Sequence, residues 1–155
     1  MDVFLIRHAE AADTTPAGDA ARPLTVHGRQ QARALGDRLR WHDCEPTLVW
    51  TSPLVRAVQT AELVAAALGT QLAVDVEPEL APDGNAHAVA AALAQLPAEA
   101  SAMLVGHGPD LAALAALLVR HPDAPRLRNA EALRLSDGRV RWRFAWNAEA
   151  PDLAR

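Results

Sequence analysis

The chain has 155 residues, 15 basic and 19 acidic side chains and a net charge of -4, and half of its residues are apolar. That length suits one domain burying roughly 70% of the surface its unfolded form exposes, and the acidic balance excludes a broad phosphate-backbone footprint, so no nucleic-acid partner is expected. All 15 basic residues are arginine, which rules out a Walker A lysine, a Schiff base and a pyridoxal anchor.

The first element is the apolar run Val3-Phe4-Leu5-Ile6, read as a buried strand that delivers Arg7-His8 at its exit, where open α/β sheets bind ligands. Ala9 to Ala21 is the longest irregular segment. A helix is expected from Thr25, a plausible N-cap, to about Trp41-His42, with Ala32, Leu35, Gly36 and Leu39 on its buried face. Leu48 to Thr51 reads as a second strand. Ser52 is expected to cap a second helix with Pro53 at its first position and Leu54, Val58, Ala61, Ala65 and Leu68 on the core side, stopping at Gly69.

Leu72 to Val76 is a third strand, and Pro78 to Gly84 a loop. A helix capped by Asn85 and stopped by Pro97 follows, then a strand over 101–106 and a helix from Pro109 with Leu111, Leu114, Ala115 and Leu118 inward, ending near His121-Pro122. Two strands joined by Asp137-Gly138 close the chain. Strict alternation puts Val140, Trp142, Phe144 and Trp146 on one buried face and Arg139, Arg141 and Arg143 on a solvated one, which is preferred to a nucleic-acid stripe. The fold class is therefore α/β: three layers, a mostly parallel mixed sheet and a C-terminal antiparallel hairpin. No linker or repeat divides it.

Cys44 is alone, so no intramolecular disulfide forms, and Met1 to Ile6 is too short for a signal-peptide core; no run of about 18 apolar residues occurs either. A cytoplasmic protein without a membrane partner is expected.

Three segments carry chemistry. Arg56 falls in the first turn of its helix, where the macrodipole disfavours a cation by a few tenths to about 1 kcal/mol. A bound dianion offsets that cost, and a solvent-facing side chain is the alternative reading. Beside His8, the fixed charge of Arg7 holds the imidazole neutral and nucleophilic near pH 7. His107, in Gly106-His107-Gly108, leaves its strand as His8 does, and the two histidines suggest one pocket in which phosphorus is attacked and its oxygens are held by Arg and His.

Arg7-His8-Ala9-Glu10, Arg22-Pro23-Leu24-Thr25 with Gly28, Ser52-Pro53-Leu54 with Arg56-Ala57 and Gln59-Thr60-Ala61-Glu62, and Val105-Gly106-His107 together resemble the histidine phosphatase superfamily, with its phosphoglycerate-mutase-like fold. Their order and the short chain are most similar to its compact SixA branch of phosphohistidine phosphatases. The resemblance implies His8 as nucleophile, with Arg7, Arg56 and His107 completing the phosphate pocket, Arg22 as a further pocket arginine and Ser52 as another contact. An alternative for Arg22 is a salt bridge to a neighbouring carboxylate. Ala9 stands where many superfamily members have Gly, as the compact branch tolerates.

Larger members place a general acid after the third strand, and Glu79 is the nearest match here, with Asp83 as a second candidate and a plain surface carboxylate as the other reading of Glu79. A neutral imidazole leaving group needs little acid catalysis. The expected partner is therefore a phosphorylated His-containing phosphotransfer protein, which the lack of a long lid insertion would admit. A small phosphorylated metabolite is the alternative substrate, and a non-catalytic phosphate-binding module the least favoured reading. No cofactor or metal is expected, since the histidines show no ligand spacing. Trp50 stands where a Cys44-based phosphate loop needs Arg. His27, His42, His87 and His121 are expected to be solvated.

Overall fold

The computed structural model describes residues Met1 to Ala154. One seven-stranded sheet runs in the order β3-β2-β4-β1-β5-β6-β7, built from β1 (Asp2–Arg7), β2 (Leu48–Thr51), β3 (Val74–Val76), β4 (Ser101–Gly106), β5 (Glu131–Ser136), β6 (Arg139–Ala145) and β7 (Asp152–Leu153). The first four strands are mutually parallel and the last three antiparallel. Helices α1 (Val26–Arg40) and α2 (Val55–Leu68) cover one face, and α3 (Ala86–Ala94) and α4 (Gly108–Val119) the other.

Alternation along the central strands feeds both cores. Phe4 and Ile6 of β1 pack with Ala32, Leu35 and Leu39 of α1, whereas Val3 and Leu5 pack with Leu111, Leu114 and Ala115 of α4. Because β1 leads into α1 on one face while its neighbour β4 leads into α4 on the other, a crevice opens between them at the strand ends. Such a switch point is where α/β sheets bind ligands.

The first helix starts at Thr25, whose Oγ1 accepts from the Gly28 N–H at 2.9 Å, and all four residues expected on its buried face are buried. The second departs from expectation. Ser52 does not cap it: its hydroxyl is drawn to His107, Leu54 takes the N-cap position without a side-chain bond, and the helix begins two residues later than Pro53. Its buried face is accordingly Arg56, Ala57, Thr60, Ala61, Val64 and Ala65, leaving Leu54, Val58 and Leu68 half-buried.

Three corrections concern the sheet. The hairpin carries a bulge: Arg134 opposes Trp142 but Leu135 opposes Val140, so Arg141 is the extra residue. The bulge breaks the alternation, and Val140 packs into the α3/α4 core while Trp142 and Phe144 enter the opposite one. The C-terminal segment also adds β7, so antiparallel pairings equal parallel ones at three each instead of being outnumbered. Strand β3 is shorter than expected, and a 3-10 turn, Pro78–Leu80, interrupts the loop behind it. Two arginines of the stripe are paired with carboxylates, Arg141 with Asp137 at 3.4 Å and Arg143 with Glu131 at 3.0 Å. His42 is half-buried rather than solvated, edge-on to Phe144 at 4.8 Å, because α1 ends against that core. Among the described residues no helix is long and apolar enough to cross a membrane.

Candidate active site

The site is assembled by strand register. Arg7 of β1 lies opposite Gly106 of β4, and the His8 N–H bonds the Gly106 carbonyl at 3.0 Å, so His8 and His107 each sit one step past the end of adjacent strands. Their rings stand 5.2 Å apart at 60°. On the other side of β4, the Ser52 N–H bonds the Val105 carbonyl at 2.9 Å, which places its hydroxyl 2.8 Å from His107 Nε2. One strand end thus organises three side chains.

His8 Nδ1 lies 2.7 Å from the Ala9 carbonyl. A carbonyl oxygen only accepts, so Nδ1 carries the proton and the lone pair of the neutral ring resides on Nε2. Burial holds the ring neutral, with the charges of Arg56, Arg7 and Arg22 adding to it against the Ala9 hydrogen bond, and the pKa falls to about 4. His107, only 6% exposed, falls further, to about 3, through burial first and then the charges of His8 and Arg56. Ser52 Oγ also accepts from the Leu54 N–H at 3.3 Å. In the tautomer where Ser52 donates to Nε2, His107 offers Nδ1–H as a donor.

The arginines hold a distinctive pattern of satisfaction. Arg56, at the start of α2, is 4% exposed, and its Nε has no partner. Arg7 donates through NH1 to the Leu127 carbonyl at 2.9 Å, and its Nε is likewise buried without a partner. Buried guanidinium donors without acceptors are costly unless an anion arrives. Arg22 is also close enough to lower the His8 pKa, yet its Nε bonds Asp19 Oδ1 at 2.9 Å and NH1 the Ala12 carbonyl at 2.8 Å. The salt-bridge reading of Arg22 is the one its contacts show, and its charge is felt at His8.

Supporting contacts fix the strand-end loop. Thr60 Oγ1 accepts from the Ala9 N–H at 3.0 Å and donates to the Arg56 carbonyl at 2.7 Å, tying the residue after His8 to α2. Gln31 accepts from the Glu10 N–H at 2.9 Å. A Cβ on Gly28 would lie 1.9 Å from the Glu10 carbonyl oxygen, and one on Gly108 would lie 3.2 to 3.3 Å from the guanidinium of Arg7. Gly28 and Gly108 are small because the Glu10 backbone and the Arg7 side chain need the space. Sequence reasoning assigned no role to Asp19, Gln31, Thr60 or the Leu127 carbonyl, which lie far from their partners along the chain, except for the i,i+3 spacing of Asp19 and Arg22 and the i,i+4 bond of Thr60 to the Arg56 carbonyl.

Glu79 is exposed and accepts from the Asn85 N–H through Oε2 at 2.8 Å; with Leu80, Asp110 and Leu111 it lines a cleft that reaches His107. Among the described residues, its side chain makes no hydrogen bond to His8. Asp83 is exposed at φ 60° in the adjoining turn, its N–H directed to Asp110. Cys44 is buried in the α1/α2 core, where desolvation pushes its thiol up to about 12. Among the described residues, no group of three His, Cys, Asp or Glu lies close enough to hold a metal ion.

Residues 3–81 match the histidine phosphatase superfamily (branch 1). Over 120 residues, 76% of this chain and 74% of the relative, the sequence is 38% identical to phosphohistidine phosphatase SixA of Escherichia coli strain K12. The structure of the protein histidine phosphatase SixA complexed with tungstate is similar at a TM-score of 0.88 and 31% identity, covering 94% of this chain and 97% of the other. The alpha-ribazole phosphatase from Shigella flexneri, 23% identical, shares the fold at a TM-score of 0.72 over 90% of this chain and 93% of its own.

Proposed function

Because this chain belongs to the histidine phosphatase superfamily, we propose that its phosphatase activity runs through a covalent phosphohistidine on His8 and that its substrate is phosphohistidine on a phosphotransfer signalling protein. One observation carries the mechanism: His8 Nδ1–H donates to the Ala9 carbonyl, which leaves the lone pair of the ring on Nε2, while the buried Nε groups of Arg7 and Arg56 lack acceptors. His8 Nε2 attacks phosphorus in line. The bond from phosphorus to the leaving group breaks as the new P–N bond forms, and its electron pair departs with that group. Water then attacks the phosphohistidine, releasing phosphate and returning the electron pair to Nε2.

Throughout, Arg7, Arg56 and Arg22 hold the phosphoryl oxygens, and His107 donates to one of them from a position that Ser52 fixes. Three guanidiniums supply the positive charge, so the reaction as read needs no metal. A leaving imidazole protonated on its other nitrogen departs as a neutral molecule, which suits a site where the candidate acid, Glu79, is exposed and accepts from backbone. Substrate identity rests on the 38% identical relative, itself named a phosphohistidine phosphatase. A cytoplasmic setting fits the free, buried Cys44.

Incubation with a labelled phosphodonor and quenching in base traps an acid-labile phosphoenzyme, and His8→Ala abolishes it. Label surviving in that variant would refute the mechanism. A second reading, a phosphomonoesterase for a small metabolite, draws on Glu79, which lines the same cleft as His107 and is the acid an alkoxide would need. Under that reading Glu79→Gln impairs turnover of phosphate monoesters; under ours, a phosphorylated His-containing domain is the better substrate and is turned over by Glu79→Gln at nearly the parent rate.

A further inference from the structure

Residues 12–23 leave and rejoin the body of the protein at one neck: Ala11 bridges to Leu24, and the Ala12 N–H bonds the Pro23 carbonyl at 2.8 Å. Ends this close make the segment an Ω-loop. Inside it, hydrogen bonds are local, from Gly18 to Thr15 and from Ala21 to Gly18. Among the described residues, the hydrogen bonds that tie 13–21 to the body run through one residue, Asp19, to one partner, Arg56. Arg56 NH1 donates to the Asp19 carbonyl at 3.0 Å and NH2 to its Oδ2 at 3.4 Å. The same carboxylate takes Arg22 Nε on its other oxygen at 2.9 Å.

We propose that Asp19 is a positioning residue for the phosphate clamp: it latches the Ω-loop to Arg56 and, through the same carboxylate, brings Arg22 to the pocket. The role rests on the phosphatase reading for its catalytic meaning, but the latch itself concerns anion binding. Arg22 lies at the loop's neck with its NH1 on Ala12, so its remaining NH2 is aimed only as well as Nε is held. Arg56, by contrast, is buried, and its Nε has no partner while NH1 and NH2 hold Asp19. The carboxylate is 68% exposed, so it bridges the two cations from the solvent side and leaves their other donors to phosphate. Charge balance agrees. Three guanidiniums, one carboxylate and a phosphoryl dianion sum to zero. Loop order and phosphate binding are then reciprocally coupled, since whatever one stabilises at Arg56 and Arg22 the other also gains.

Inorganic phosphate affinity, steady-state kinetics with an aryl phosphate, and hydrogen exchange of residues 13–21 test this. Asp19→Ala is expected to weaken phosphate binding and raise KM by about five- to tenfold, with a smaller effect on kcat, and to speed exchange across 13–21; a charge-assisted, partly exposed pair supports a change of that size. Asp19→Asn keeps an oxygen for Arg22 Nε and returns both constants to within about threefold of the parent. In an Arg22→Ala background the Asp19→Ala effect shrinks, because the two act as a unit. Phosphate bound as tightly or more tightly by Asp19→Ala would overturn the proposal, since the carboxylate would then compete with the ligand. So would equal effects with and without Arg22. If the parent binds phosphate in this Asp19-dependent way yet forms no phosphoenzyme, the latch stands and the catalytic reading falls.

Discussion

The chemistry of His8 depends on which nitrogen carries its proton, and a single backbone acceptor decides that. With Nδ1 committed to the Ala9 carbonyl and burial pushing the pKa to about 4, kcat/KM is expected to be flat from pH 7 to 5 and to fall only as pH approaches 4. An NMR titration of the ring checks the cause: Arg56→Gln removes a charge that lowers the pKa, so the midpoint moves upward. Ser52→Ala leaves buried His107 without its Nε2 partner; a loss of roughly 1 to 3 kcal/mol spread between stability and activity is expected, read as a lower Tm and a kcat/KM reduced about tenfold. Gly108→Ala would press a methyl group against the guanidinium of Arg7 at 3.2 to 3.3 Å, and weaker phosphate binding measured by calorimetry, with little change in Tm, is the expected result. His8, Arg7, Arg56 and His107 were legible from residue type and place in the chain. Asp19 and Thr60 were not, because their partners lie 37 and 51 residues away for reasons only folding supplies.

Element ends, more than element interiors, position this site. Thr25 both caps α1, accepting from Gly28, and donates to Glu10 Oε1 at 2.8 Å, so one side chain joins the helix start to the loop that follows His8. Thr25→Ala should cost about 1 kcal/mol, a fall in Tm of roughly 2 to 4 °C for a chain of this size. Gly28→Ala should cost more, since its Cβ has no room beside the Glu10 carbonyl, and thermal denaturation of the two variants ranks them. The caps of α1 and α3 were legible because Thr25 and Asn85 have short oxygen-bearing side chains at the right offset. At α2 the same signal misled: Ser52 has the right chemistry for a cap, but His107 competes for its hydroxyl from a strand that only tertiary structure brings alongside. The bulge at Arg141 was equally hidden, since alternation in the sequence continues through it while the pairing does not.

For the molecule as a whole, two neutral histidines, His107 buried and His8 half-buried, make stability depend on pH. An unfolded chain protonates both near pH 6.5, whereas the folded one resists until about 4 for His8 and about 3 for His107. Over that window the unfolded state binds more protons, so stability falls as pH drops from about 6.5 towards 3. Thermal denaturation at pH 7 and pH 5 is expected to show a lower Tm at pH 5, and replacing both histidines by Asn should flatten that dependence. Bound phosphate should oppose it at neutral pH by binding only the folded state.

By itself the sequence determined the layers, the strand and helix order up to β6 and the four residues that the candidate site draws on, because hydrophobic periodicity, caps and strand-end polar residues are local signals that read directly into an α/β scaffold. Only the tertiary structure decided which side chains meet: the β1–β4 register that sets the two imidazoles 5.2 Å apart, the hydroxyl of Ser52 given to His107, and the Ω-loop that returns Asp19 to Arg56. Those contacts depend on sequence separation being folded away, and no local pattern encodes the partner that wins.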